Sequence, residues 1–435
     1  MFPHSRSVRA WTVTGVLLLF VFVNFADKAA LGLVAEPLTR ELGLSNSEFG
    51  LLSSAFYFLF SASSIAVGLF GTRLRAGWLL AGCAVLWSLA QLPFVFSAGL
   101  AVLLLARVVL GAAEGPGVPL AMATAFSWFP ATRRTLPSGL LLTGTGLGVM
   151  VASPALTWVA GHYGWRSVFT VLAAAGAVWL ALWMAFGGVG PYATAPAPRT
   201  GPGATRADLR AMLRSRTWWA CVVGMFAMAW GTAVMTSWLP LFMIRALGYS
   251  STQMGLANSA FWAVFTVGCL GVGVLADRLL RRGAGPRQAR LVPGAIVLLL
   301  SAVAMAVLPV MGGGPPALLV ILVLLPWYGL FMPLAQAAIA DIAPDAQRTR
   351  ALLIGTGLGQ LSALAGPYVV GVLLDAAPDA TTGYRHALWL SAALLVAGAV
   401  GVLALGHPER ERWRAHTPPA ADNSPNNNST QGVVA

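Results

Sequence analysis

The chain is a series of long apolar stretches separated by short polar or basic breaks. A helix needs about 20 apolar residues to cross the hydrocarbon core of a bilayer. Twelve stretches reach that length, at roughly 11–34, 48–70, 77–97, 99–125, 137–161, 165–187, 217–243, 253–276, 291–311, 315–340, 350–374 and 385–406. The first is too long for a cleaved signal peptide and carries charges past its middle. The pattern predicts an all-α integral membrane protein with both ends on one side. Residues 1–187 would hold six helices and 217–406 six more. A Pro-, Gly- and Arg-rich linker at 188–216 would join them, and a tail of disordered composition would follow at 407–435.

Composition narrows the picture. Hydrophobic residues make up 57% of the chain and charged residues 9%, against about 25% charged in soluble domains. That balance excludes a water-soluble enzyme. A pI near 10.9 would suggest nucleic acid in a soluble protein, but here the basic residues follow membrane topology. With the N-terminus inside, 21 arginines fall in inside loops and four (Arg40, Arg166, Arg245 and Arg385) in outside loops. Such a bias is the positive-inside signature. No nucleic-acid partner is expected, and the lipid bilayer is the surrounding phase. Cys83, Cys221 and Cys269 all lie in apolar runs and read as buried small residues, with neither a disulfide frame nor a metal site.

The two halves resemble each other. At a shift of 205, Gly50-Leu51 meets Gly255-Leu256, Ser54-Ala55-Phe56 meets Ser259-Ala260-Phe261, and Arg73-Leu74 meets Arg278-Leu279. The run GTGLG occurs at 144–148 and again at 355–359. It follows no strand and carries no Lys-Ser/Thr, so helix packing explains it better than a phosphate loop. Two parallel six-helix repeats fit a transporter whose substrate site lies between the halves near mid-membrane.

Four charges lie well inside predicted spans: Asp27, Lys28, Arg107 and Glu114. Each costs about 2.5–3.5 kcal/mol at a helix centre, so each needs a partner or a purpose. Lys28 is the only lysine in the chain. Asp27 lies roughly 24 Å along an outward-running first helix, and Arg107 roughly 12 Å below the outer surface on an inward-running fourth. Lys28 and Arg107 therefore sit at one depth, where they could clamp a carboxylate. Glu114 is two turns beyond Arg107 on the same face. The plainer alternative is a pair of structural ion pairs, Asp27 with Arg107 and Lys28 with Glu114. The run Glu114-Gly115-Pro116-Gly117-Val118-Pro119 predicts irregular backbone beside the acid.

Asn24-Phe25-Ala26-Asp27-Lys28-Ala29-Ala30-Leu31 resembles the N-Y-x-D-R-x-x-L of the anion:cation symporter family within the major facilitator superfamily. Arg107 to Pro119 resembles that family's R-x-x-x-G-x-x-E-[GA]-P-x-x-P, Trp128-Phe129-Pro130 with Arg134 its W-F-P-x-x-E-R, and Gly273 to Arg278 the superfamily's G-x-L-A-D-R loop. The resemblance implies a major facilitator fold and transport of small organic anions. It assigns proton coupling to Asp27 and Glu114, and substrate binding to Lys28 and Arg107. It assigns inside gating to Asp277, Arg278 and Arg73. Three positions depart from the pattern: Lys28 replaces the usual Arg, Arg133 the usual Glu, and Thr72 the Asp of the first gating loop.

Tyr57, Asn258, Gln336 and Gln360 are further polar candidates for substrate contact, each competing with a plain interhelical hydrogen bond. Asp341 and Arg348 resemble inside-gate loop residues. The leading expectation is a monomeric, proton-coupled importer of a sugar acid, hydroxy acid or aromatic acid in a bacterial inner membrane, with both termini cytoplasmic, H+ as the driving ion and no cofactor. Alternatives are a proton-driven exporter of a drug-like compound and a solute receptor that transports nothing. The fifth helix lacks the exporters' G-P-x-x-G-type signature, and no large cytoplasmic extension favours a receptor. No nucleophile–base constellation or metal cluster points to an enzyme.

Overall fold

A computed structural model describes residues 3–70, 76–96, 99–130, 135–192, 210, 212–343 and 345–411. Eleven described helices are long and apolar enough to cross a membrane, and Asn46–Phe70, 25 residues long, completes a set of twelve. They are α1 (Pro3–Leu33), α2 (Asn46–Phe70), α3 (Gly77–Val95), α4 (Leu100–Phe126), α5 (Thr135–Tyr163), α6 (Trp165–Phe186), α7 (Arg216–Arg245), α8 (Ser251–Arg281), α9 (Arg287–Val310), α10 (Pro315–Ile342), α11 (Ala351–Asp375) and α12 (Ala380–Leu405). Local chemistry starts several of them. Ser250 and Gln253 form a reciprocal capping box at α8, and the side chains of Ser215 and Asp379 cap α7 and α12.

The six N-terminal helices form one bundle and the six C-terminal helices another. Within the first, α1 packs on α5. A Cβ on Gly144 would meet the Leu18 side chain at 2.9 Å, and one on Gly148 the Phe22 carbonyl oxygen at 2.3 Å. The second GTGLG does the equivalent work between α11 and α7: a Cβ on Gly359 would stand 2.7 Å from Met225 Cβ. The repeated motif is therefore a packing device, repeated because the helix pair it serves is repeated.

The bundles meet along α2 with α11, α5 with α8, and α1 with α7. Gly50 on α2 lies against the Pro367 carbonyl, and Gly371 on α11 against that of Asn46, so each helix supplies the gap its partner needs. The bundle ends away from Pro3 and Glu411 form the outer face in the topology that the arginine bias predicts. There the short helix Ala35–Leu42 carries Glu36, which accepts from Arg245 Nε at 2.5 Å. Arg245 also donates to Asn46 Oδ1 at 3.1 Å and Thr39 Oγ1 at 3.0 Å. Asp375 accepts from the Asn46 and Ser47 backbone N–H groups at 3.0 and 2.8 Å and from Asn46 Nδ2 at 2.9 Å. The outer ends of the bundles are thus tied together. At the opposite end Asp277 and Arg278 are exposed, and their side chains have no hydrogen-bond or ion-pair partner among the described residues. Arg73, Thr72 and Arg133 lie outside the described residues.

Candidate functional site

The site is built from two helix breaks and one close helix crossing. In α4, Pro119 lacks the N–H that would bond the carbonyl of Gly115 four residues earlier. Ser64 Oγ of α2 donates to that carbonyl instead, at 2.6 Å. The break is confined to Gly115-Pro116, both still near helical dihedrals, so α4 bends there and does not unwind. Gly111 and Gly115 turn their bare faces to α2: a Cβ on either would fall within 2.1 Å of a backbone carbonyl, that of Phe56 or Phe60. This small-xxx-small contact brings the Phe56 and Phe60 rings up to the charges.

All four intramembrane charges meet here. Asp27, Arg107 and Glu114 are 0%, 4% and 1% exposed, and the Lys28 side chain 16%. Lys28 Nζ lies 3.7 Å from Glu114 Oε2. It also sits over the rings of Phe25 at 4.1 Å and Phe60 at 4.7 Å, where the negative ring faces offset part of its lost hydration. The Arg107 guanidinium stacks over Phe56 at 4.9 Å. Of the two structural ion pairs that the sequence allows, only Lys28 with Glu114 forms. Asp27 Oδ2 instead accepts from Gln91 Nε2 at 2.6 Å. Among the described residues Arg107 has no carboxylate within ion-pair distance, and its Nε has no hydrogen-bond partner.

Buried polar atoms without partners are rare, and each costs about 1–3 kcal/mol. Here they cluster: both side-chain atoms of Asn24, Asp27 Oδ1, Gln91 Oε1, Arg107 Nε and both carboxylate oxygens of Glu114. Such a concentration marks a site whose partners are water, protons or a solute.

The remaining candidates divide. Tyr57, next to Phe56, lies within electrostatic reach of Arg107 and Glu114, and of Tyr328 in the other bundle. Asn258 is used up at the α5–α8 contact, donating to Ser153 Oγ at 2.8 Å. Gln360 is half-buried at the break in α11, and Gln336 is exposed on α10. Asp341 pairs with Arg290 inside the C-terminal bundle, and Arg348 Nε donates to the Ala340 carbonyl at 3.1 Å. Gln91 was missed. Its signal was available, a polar residue just before Leu92-Pro93 in an apolar stretch, but a neutral amide does not stand out as a charge does. Cys83, Cys221 and Cys269 are free thiols, and no cluster of three or more His, Cys, Asp or Glu side chains that could hold a metal occurs among the described residues.

Twelve apolar spans in two pseudo-symmetric bundles, with four charged side chains gathered inside one of them, are the architecture of a membrane transporter. The Major Facilitator Superfamily model matches residues 17–329 and 294–427, and the chain belongs to that superfamily. It is 27% identical over 407 residues to a probable sulfoacetate transporter of Cupriavidus necator, covering 90% of this chain and 92% of that one. It is 25% identical to a probable galactarate/D-glucarate transporter of Bacillus subtilis, with 93% of each chain covered. It is 24% identical to a D-galactonate transporter of Escherichia coli, covering 92% and 97%. Among solved structures, a bacterial homolog of the human lysosomal transporter Spinster superposes with a TM-score of 0.79 at 18% identity, over 97% of this chain and 100% of that one.

Proposed function

We propose that the protein takes up a small organic carboxylate together with protons across a bacterial plasma membrane, acting as a monomer with both termini in the cytoplasm. The observation that carries this reading is the unpaired Arg107 guanidinium beside a partly accessible Lys28, two cations in a membrane interior with one close carboxylate contact between them. Leaving a buried cation unpaired is costly unless a ligand completes it. Three relatives whose printed names are anion transporters support an anionic ligand.

In this reading Asp27 and Glu114 carry the proton. Ionised, the four side chains sum to zero. A monoanion entering the site leaves one negative charge in a low-dielectric interior, and protonation of one acid restores neutrality. Glu114 is the favoured carrier in this reading, because it faces both Lys28 and Asp27 and neither of its oxygens has a fixed hydrogen bond.

The test uses proteoliposomes and a panel of sulfoacetate, galactarate, D-glucarate and D-galactonate. An imposed pH gradient should drive accumulation of at least one of them. Arg107→Ala should abolish uptake, and Glu114→Gln should abolish gradient-driven accumulation while anion-for-anion exchange survives. Uptake by the wild type that ignores the pH gradient would refute proton coupling, and unimpaired uptake by Arg107→Ala would refute the anion site.

A further inference from the structure

Asp27 has two suitors. Asp27 lies within electrostatic reach of both Arg107 and Lys28, and a buried aspartate near an unpaired guanidinium ordinarily forms a bidentate pair. No such pair forms among the described residues: Gln91 holds one carboxylate oxygen, and the Glu114 carboxyl faces Asp27 as well. Gln91 is wholly buried and sits at the break in α3 between Ala90 and Leu92, where Pro93 ends the regular ladder. That break directs the amide into the bundle, where Nε2 reaches Asp27 Oδ2 at 2.6 Å. Asp27 Oδ1 and Gln91 Oε1 remain unpartnered, so the amide captures one oxygen and holds the carboxylate short of the guanidinium. The other charges facing Asp27 are Lys28, engaged by Glu114, and the Glu114 carboxyl, which lies close enough to share a proton with it.

We propose that Gln91 is a positioning residue that keeps Asp27 from pairing with Arg107 and thereby keeps that cation free for the substrate anion. The proposal rests on the anion-site reading above. It explains why a neutral amide lies in an apolar helix, and how an acid and a substrate cation share one pocket without neutralising each other. Without the amide, Asp27 swings onto Arg107 and competes with substrate. Apparent affinity then falls by the fraction of molecules in which the guanidinium is unoccupied, so a pair populated nine times in ten weakens binding about tenfold.

Gln91→Met keeps the volume and removes both hydrogen-bonding groups. Binding of each anion of the panel to the purified protein is measured by calorimetry at fixed pH. Gln91→Met should weaken the binding anions about tenfold, and Asp27→Asn added to it should restore affinity to that of Asp27→Asn alone, since the competitor is gone. A merely structural role for Gln91 predicts no such rescue. Unchanged affinity in Gln91→Met, or a double variant as weak as Gln91→Met, overturns the proposal. Gln91→Leu serves if the methionine variant does not fold. A second readout needs no anion: the structure of the substituted protein should show an Asp27–Arg107 ion pair, and an Asp27 that stays clear of Arg107 overturns the proposal whatever the panel shows. If the wild type and Arg107→Ala bind every anion alike, the anion-site reading fails separately.

Discussion

Removing Asp375 should loosen the outer seal by a calculable amount. Asp375 ends α11 in the C-terminal bundle yet caps the first turn of α2 in the other, accepting two backbone N–H groups and one side-chain amide. The start of α2 also has its own cap, with Ser45 and Glu48 exchanging hydrogen bonds at 2.8 and 3.1 Å, so the helix survives the loss. What disappears is an interaction that exists only while the outer ends touch. A cap is worth about 1 kcal/mol, within a range of about 0.5–2, and an anion at a helix N-terminus about 0.3–1. Asp375 is solvent-exposed, which favours the low end of both. Asp375→Ala should therefore raise the population ratio of outer-open to outer-closed molecules about fivefold, the equivalent of about 1 kcal/mol. Adding Arg245→Ala removes the contacts to Glu36, Thr39 and Asn46, and because both residues share Asn46 the two effects should couple and not simply add. Spin labels at Arg40 and Thr381, both exposed on the outer face of opposite bundles, report the gap by double electron–electron resonance in a cysteine-free background. The wild type should show mainly the short distance, Asp375→Ala a growing long one, and Asp375→Asn an intermediate share. An unchanged distance distribution in a folded Asp375→Ala protein refutes the assignment of the seal.

Three further outcomes follow from other contacts. Lys28→Arg must fit a wider, planar head between the Phe25 and Phe60 rings, and should change anion affinity at least about threefold; equal affinities across the panel would show the rings do not select the ammonium. Gly148→Ala pushes a Cβ into the Phe22 carbonyl and should destabilise the N-terminal bundle by about 1–3 kcal/mol, whereas Gly161→Ala, with open space around it, should be neutral; equal unfolding midpoints would contradict the packing role. Glu41, hydrogen-bonded by Trp165 Nε1 and then Arg166, is held below its ordinary value of 4.5. A lowered carboxyl stabilises the fold above its unfolded value and loses that contribution as pH falls through the folded one, so melting temperature should drop faster below about pH 4.5 in the wild type than in Glu41→Gln.

The spans were legible because the signal is local: apolar length alone decides whether a helix can cross the bilayer. The four charges were legible because each breaks a rule at its own position. Their grouping was partly legible from depth, but depth does not say which carboxylate faces which cation, and Asp27 turned to Gln91. Asn258 looked equally available in sequence, yet the face it presents to Ser153 depends on how α5 and α8 cross. The outer seal was the least visible. Asp375 and Asn46 stand 329 residues apart, and a lone acid at a helix end reads as an ordinary solvated charge. Arg245 likewise entered the reading only as one of four outside arginines.

The confinement of the charged cluster to one bundle has an electrical consequence. Outside the first and last two turns of their spans, the described C-terminal helices hold no Asp, Glu, Lys or Arg. If the bundles rock past each other in the proposed transport cycle, the field across the membrane acts on the N-terminal cluster alone. With both acids ionised that cluster is neutral, and a membrane potential does no work on the empty protein as it resets. With one acid protonated and no anion bound, it carries one positive charge, and a potential of 100 mV biases its position by up to about 2.3 kcal/mol. The voltage dependence of the turnover step thus becomes a direct reading of which protonation state makes the return journey.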